Sequence, residues 1–301
     1  MPDGHRCGLV ALVGRPNTGK STLVNRLVGE KVTIVTKVPG TTRTTVRAVV
    51  TRDDAQVVLL DTPGLAKPRT PMASRMNQLV RDTWASVDVV ALLVDAEAGV
   101  GGGDEYLMGE LAGLRTPVVT VVNKTDVLAP EALMPVLERV ARLTAEPPFA
   151  DVVPVSALEG DNVDRLVDVL VGHLPEAPRL FAAGRVSDQP DAQLASELVR
   201  EKVIADLRDE LPHSVAVTVD SVEPDPGGRE DLVHIDAIIH VERESQKGII
   251  IGRGGERLKT AATAARLELE GLLGVRIHLT TRVKVAKDWQ RDPRQLGRLG
   301  L

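Results

Sequence analysis

The sequence is poor in cysteine and in aromatic residues. Its 301 residues hold one cysteine, Cys7, which excludes a disulfide framework and an all-cysteine zinc site and fits a reducing cytosol. Aromatic residues make up 2%, so rings for stacking on bases are scarce. No run approaches the ~20 apolar residues of a membrane span. The short apolar stretch CGLVALVG leads straight into a glycine loop. It therefore reads as a buried strand, because a signal peptide needs a longer apolar region and a cleavage site. Positive charge is also lacking overall, since the net charge is −5. Its distribution is uneven, however. From Arg243 to Leu301 there are 13 Lys and Arg against 6 Asp and Glu, a local +7 that leaves −12 for the rest. A basic end of this kind points either to a polyanion partner or to a solvated helix face.

What is present is ordinary globular composition, 43% hydrophobic and 26% charged, in a length that suits two domains. The first part alternates valine- and leucine-rich runs with helical patterns. QVVLLDTPG, DVVALLVDA, TPVVTVVNKTD and FADVVPVSALEG each join an apolar run to a polar cluster. Near-continuous apolar runs separated by helices predict a parallel sheet covered on both faces, with chemistry at the carboxyl ends of its strands. Residues 176–190 are rich in proline, lack periodicity and read as a linker. The order predicted after the linker is α-β-β-α-α-β.

Gly14, Arg15, Pro16, Asn17, Thr18, Gly19, Lys20 and Ser21 fit G-x-x-x-x-G-K-[ST] between a predicted strand and a predicted helix that continues through Thr22. Glycines let backbone N–H groups turn toward phosphate oxygens, and the helix presents its positive N-terminus. Lys20 is a mobile cation for the β- and γ-phosphates, and Ser21 offers a hard oxygen. Asp61, Thr62, Pro63 and Gly64 form a second cluster, followed by Leu65. An acid there can hold a divalent cation through water, and Gly64 can offer a backbone N–H. Asn123, Lys124, Thr125 and Asp126 form a third. The Asp126 carboxylate can accept both N1–H and N2–H of guanine, a donor pair that adenine lacks. Ser156, Ala157 and Leu158 can close over the base.

This ordered set resembles the translation-factor-like branch of small GTP-binding proteins. The resemblance implies that PGTTR, residues 39–43, is the first switch. Thr42, with Thr41 as the alternative, then closes on Mg2+ and the γ-phosphate. The implied catalytic set is Lys20, Thr42, Gly64 and Asn17. The implied metal set is Ser21, Thr42 and, through water, Asp61. Ras-like proteins carry a water-orienting glutamine where Leu65 stands, so unaided hydrolysis is expected to be slow. Asn17 occupies the place at which cation-dependent relatives hold K+, which could act on developing charge as an arginine finger does.

A second glycine loop, QKGIIIGRGGERLK, has no G-K-[ST] ending and so makes a poor second GTP site. A tight G-x-x-G between two helices instead lets a nucleic-acid backbone approach closely, as in KH domains. The candidate RNA-binding residues are Lys247, Gly248, Ile249, Ile250, Ile251, Gly252, Arg253, Gly254, Gly255, Arg257 and Lys259. The last strand, VRIHLTT, is a candidate groove wall.

One GTP-binding domain followed by one KH domain resembles the Era family of ribosome-assembly GTPases. The match rests on GRPNTGKS, PGTTR, DTPG, NKTD, SAL, QKGIIIGRGG and the tail from VKVAKDW to LGRLGL. It implies an α/β P-loop GTPase domain at 1–175, a linker at 176–190 and a smaller α+β type II KH domain at 191–301. The first should have a mostly parallel sheet with helices on both faces. It also implies GTP and GDP as ligands, Mg2+ and K+ as cofactors, and binding to the 3′ end of 16S rRNA and to the 30S subunit. The implied setting is a cytoplasmic monomer with peripheral contact to the cell membrane. One departure is Gly40, where the family pattern carries glutamine before the threonine pair. Two other readings compete. A GTP-sensing RNA-binding regulator would show little turnover. A tRNA-modification GTPase would carry further domains, for which the sequence has no counterpart.

Overall fold

A computed structural model of the protein describes residues 4–68, 70–146 and 149–301. The chain divides into two compact units. One comprises Met1–Thr33, Thr42–Pro68 and Ala73–Asp188, and the other Ile34–Thr41, Arg69–Met72 and Gln189–Leu301.

The valine- and leucine-rich runs of the first unit become β1 (Arg6–Gly14), β3 (Ala55–Asp61), β4 (Val89–Asp95), β5 (Val118–Asn123) and β6 (Asp151–Pro154). With β2 (Val46–Thr51) they form one sheet of order β2-β3-β1-β4-β5-β6, in which only the β2–β3 pairing is antiparallel. Every residue of β3, β4 and β5 is buried, as a sheet covered on both faces requires. Alternation along β1 sends Val10 and Leu12 into one core and Ala11 and Val13 into the other. The first core is closed by α1 (Lys20–Val28) and α5 (Val163–His173) through Leu23, Leu166 and Leu170. The second is closed by α2 (Pro71–Trp84), α3 (Gly102–Leu111) and α4 (Pro130–Leu143) through Val80, Leu107 and Val140. Gly14, Asp61 and Asn123 thus end parallel strands on one rim of the sheet. This is the doubly covered α/β fold expected from the sequence.

The stretch expected as a linker behaves differently up to Asp188. It lies on the first unit, bridged to the sheet at Arg6–Glu176 and Ala48–Ser187. The cause is Gln56, a fully buried amide beside the apolar run Val57–Leu60 of β3. Its Oε1 accepts from the backbone N–H groups of Leu180 and Phe181, each at 2.9 Å, and its Nε2 donates to Phe181 O at 3.0 Å.

The second unit contains α6 (Asp191–Ile204), β7 (Ala216–Pro224), β8 (Leu232–Val241), α7 (Glu244–Ile251), α8 (Glu256–Leu273), β9 (Arg276–Val285) and α9 (Pro293–Arg298). Through β9, this order is the one predicted. The sheet runs β7-β8-β9, antiparallel then parallel, so β9 is an edge. Its core joins Val199, Val203, Val217, Ile239, Ile250 and Ala265. The fully buried Trp289, whose Nε1 donates to Ser214 O at 3.0 Å, pins the chain that follows β9. Among the described residues no helix is long and apolar enough to cross a membrane.

Gln56→Ala should release the 176–188 stretch and cost about 1–3 kcal/mol, because two backbone N–H groups lose a buried acceptor. Urea denaturation and limited proteolysis would read this out. An unchanged midpoint and cleavage pattern would reject it.

Candidate functional site

Between β1 and α1 the backbone turns through left-handed positions at Asn17 (φ 65°) and Gly19 (φ 91°). A Cβ at Gly19 would collide with the Asn123 amide. Lys20 is 5% exposed, and its Nζ donates to Gly14 O at 3.2 Å and Arg15 O at 2.8 Å. Burial pushes its pKa down to about 8, opposed by the nearby Asp61 carboxylate. Thr18 is buried and donates to Arg15 O at 3.0 Å, bracing the loop. Arg15 corrects the sequence reading. Its guanidinium turns to Asp104 on α3, at 2.9 and 2.8 Å, so only its backbone remains in the loop.

The second cluster closes on the first. A Cβ at Gly64 would lie 2.7 Å from Pro16 N and Cα, so glycine is needed for this approach. Leu65 N donates to Gly14 O at 3.1 Å, and the Leu65 side chain is 6% exposed. Pro63 is buried beside them. Thr62 is also a tie here: its hydroxyl is buried and donates to Leu12 O at 2.6 Å.

Hard oxygens gather at Asp61. Ser21 Oγ and Thr33 Oγ1 donate to Asp61 Oδ2 at 2.8 and 2.9 Å, and Thr42 Oγ1 lies 3.1 Å from Ser21 Oγ. The Thr41 hydroxyl donates to Val38 O at 2.7 Å. Asp61 is fully buried, and its Oδ1 has no hydrogen-bond partner among the described residues. Burial raises its carboxyl above the usual range, against hydrogen bonds from Ser21 and Thr33 and the charge of Lys20. A buried carboxylate oxygen without a donor, beside two hydroxyls, suits a hard divalent cation such as Mg2+.

Asn123 joins three loops at the opposite end of the site. It is 1% exposed, donates to Thr18 O at 2.9 Å and accepts from Ala157 N at 3.0 Å. Thr125 N donates to Val155 O at 3.2 Å. Ser156 Oγ donates to Asp126 Oδ1 at 2.6 Å and aims the exposed carboxylate. Lys124, left-handed at φ 66°, pairs with Asp95 at 2.5 Å. Leu158 is 63% exposed, and it joins Thr22, Arg26 and Ala157 around a cleft of about 330 Å³.

In the second unit, Gly252 ends α7 at φ 75°, and a Cβ there would lie 2.7 Å from Arg257 Cβ. Gly254 and Gly255 are left-handed and have open space where a Cβ would point. Arg253, Lys259 and Gly248 are exposed, while Lys247 and Arg257 are half-buried. Ile250 is a second correction: it is 2% exposed and packs in the core. Helical spacing leaves Ile249 and Ile251 to line the outside.

Comparison with known proteins bears on the whole chain. Residues 9–124 match the family described as "50S ribosome-binding GTPase", and residues 210–290 match the KH domain. GTPase Era of Mycobacterium tuberculosis is 49% identical over 296 residues, spanning 97% of this chain and 98% of that protein. GTPase Era of Mycobacterium sp. (strain KMS) is 48% identical, spanning 98% of each. The chain belongs to the Era family of GTPases. A crystal structure of an Aquifex aeolicus Era variant bound to GDP and AlF4− is similar at TM-score 0.94 and 37% identity. So is an Era in complex with MgGDPNP and nucleotides 1506–1542 of 16S ribosomal RNA, also at TM-score 0.94 and 37% identity. Each alignment covers 98% of this chain and 99% of the other.

As an Era-family GTPase the protein hydrolyses GTP. Two supporting residues escaped the sequence analysis. Thr33 carries no motif and reaches Asp61 only through the loop after α1. Asp95 was visible as an acid ending a strand run, but its pairing with Lys124 depends on the β4–β5 register, which sets Asp95 beside Asn123. Asp126→Asn should shift preference from GTP toward xanthosine triphosphate, measured by competition binding. Unchanged guanine selectivity would remove Asp126 from that role.

Proposed function

We propose that this Era-family protein is a GTP-driven switch that binds the 3′ end of 16S rRNA and assists assembly of the 30S subunit. Its nucleotide site lies in residues 1–175 and its RNA groove in residues 191–301. The supporting observation is the likeness along nearly the full chain to an Era solved with MgGDPNP and that stretch of 16S rRNA.

The Asp126 carboxylate reads guanine by accepting N1–H and N2–H, and rejection of adenine follows from leaving such an acceptor unpaired. Backbone N–H groups of residues 14–22 and the Lys20 ammonium hold the phosphates. Gly64 offers its N–H to the γ-phosphate, and Thr42 closes from the first switch. Mg2+ would be held by Ser21 and Thr42 and, through water, by Asp61, and when bound it neutralises phosphate charge. K+ would be held near Asn17, whose left-handed, exposed position on the loop leaves its side chain at the rim. Buried Leu65 has no group to orient water, so turnover is slow until a monovalent cation or RNA assists. Gly252 to Gly255 clamp the RNA backbone, Ile249 and Ile251 contact bases, and Lys247, Arg253, Arg257 and Lys259 neutralise phosphates. By linkage, RNA and GTP favour one another. The protein works as a cytoplasmic monomer with a peripheral membrane contact, as the family resemblance implies.

Multiple-turnover assays should show K+ raising GTP hydrolysis roughly tenfold or more over Na+, the scale of one added charge in a preorganised site. Absence of turnover in K+ with RNA present would overturn the K+ role. Arg253→Asp with Gly254→Asp should abolish binding of the 16S 3′ end and leave GTP affinity intact. RNA binding that survives would move the groove away from this loop.

A further inference from the structure

The loop after α1 brings a second hydroxyl to Asp61, and the residue that holds the loop in place lies on α1 itself. Asn25 stands one turn after Ser21, so the two share a face of the helix. Its half-buried amide clamps residues 32 and 33. Asn25 Oδ1 accepts from Val32 N at 2.9 Å and from Thr33 N at 3.1 Å, and Asn25 Nδ2 donates to Thr33 O at 2.8 Å. Both lone pairs of the amide oxygen are used in this way, which no apolar side chain could reproduce. Val32 is buried in the first core and anchors the same segment a second time.

Thr33, fixed by that clamp, is 5% exposed, and its Oγ1 donates to Asp61 Oδ2 at 2.9 Å. Ser21 Oγ donates to the same oxygen at 2.8 Å. The torsion that turns a carboxylate is soft and two-fold, so contacts must set it. One donor would leave the carboxylate plane free to swing. Two donors from different segments hold the plane, and they leave Oδ1 as the oxygen without a donor among the described residues. Thr33 lies outside the candidate metal set of Ser21, Asp61 and Thr42, and its hydroxyl serves the carboxylate.

We propose that Thr33, held by Asn25, is a positioning residue for Mg2+: it fixes the Asp61 carboxylate so that the cation and its water meet an acceptor already oriented. This rests on the Mg2+ reading of the site above and adds to it two residues outside the motifs. Groups that hydrogen-bond to the acid of a metal site from behind typically change metal affinity by about 10- to 100-fold when removed. The division of labour suits a switch. Ser21 serves both the cation and the acid, and Thr42 belongs to the loop that closes on the nucleotide. The Asn25 clamp is made of one amide and the chain's own backbone, so it can hold Asp61 whatever the first switch does.

The test measures binding of a fluorescent, slowly hydrolysed GTP analogue to the full chain as Mg2+ is varied, and again in excess EDTA. Mg2+ should tighten binding to the wild type. Thr33→Val keeps the shape of the side chain and removes the hydroxyl. It should raise the Mg2+ concentration at half effect about 10- to 100-fold and leave affinity in EDTA unchanged. Thr33→Ser should restore the wild-type midpoint. Asn25→Ala should shift the midpoint in the same direction and add little to Thr33→Val, because it acts through that hydroxyl. An unchanged midpoint in Thr33→Val would overturn the proposal. So would an equal loss of affinity in EDTA, which would make Thr33 a structural residue of the loop, or a fully additive loss in the double variant. A wild type whose binding ignores Mg2+ would instead sink the Mg2+ reading itself, whatever Thr33 does.

Discussion

The buried side chain of Asn123 ties the nucleotide site together. Its amide donates to the loop after β1, and its carbonyl oxygen accepts from the loop after β6. Each bond is worth about 1 kcal/mol net, but an orphaned buried amide would cost more than either contributes. That asymmetry makes one conformation of three loops strongly preferred. The absence of a Cβ at Gly19 permits the approach, and the β4–β5 register sets Asp95 to hold the neighbouring lysine. The proposed guanine and phosphate contacts would therefore share one rigid rim, although Asn123 and Thr18 lie 105 positions apart.

At the other end of that rim the protein keeps a carboxylate in a costly place. Asp61 has no solvent exposure, one oxygen without a donor among the described residues and a raised carboxyl pKa. Burying such a group is unfavourable unless something of opposite charge compensates. Lys20 supplies part of the compensation, and a divalent cation among Ser21, Asp61 and Thr42 would supply the rest. A destabilised acid of this kind fits the proposed cation site, as perturbed groups cluster where chemistry is done.

In the second unit the constraint is that one edge strand serves two faces. The inward residues of β9 pack beneath the helices that carry GRGG, while its outward residues stay exposed and basic. A strand has a period of two, so the two faces can be specified almost independently.

The sequence by itself determined the fold class, the order of elements from α6 to β9 and the motifs of the proposed nucleotide site. Apolar periodicity and glycine-loop spacing are local properties, and they survive reading in one dimension. It also led to the family, because ordered motifs constrain each other. Tertiary structure decided the rest. It turned the Arg15 side chain away from the phosphate loop, sent Ile250 into the core, bound the stretch before Asp188 to the sheet through Gln56, and brought Thr42 to Ser21. Each outcome depends on which distant partner a polar or apolar group meets. That is a matter of register and packing, and the identity of a residue and its neighbours in sequence does not contain it.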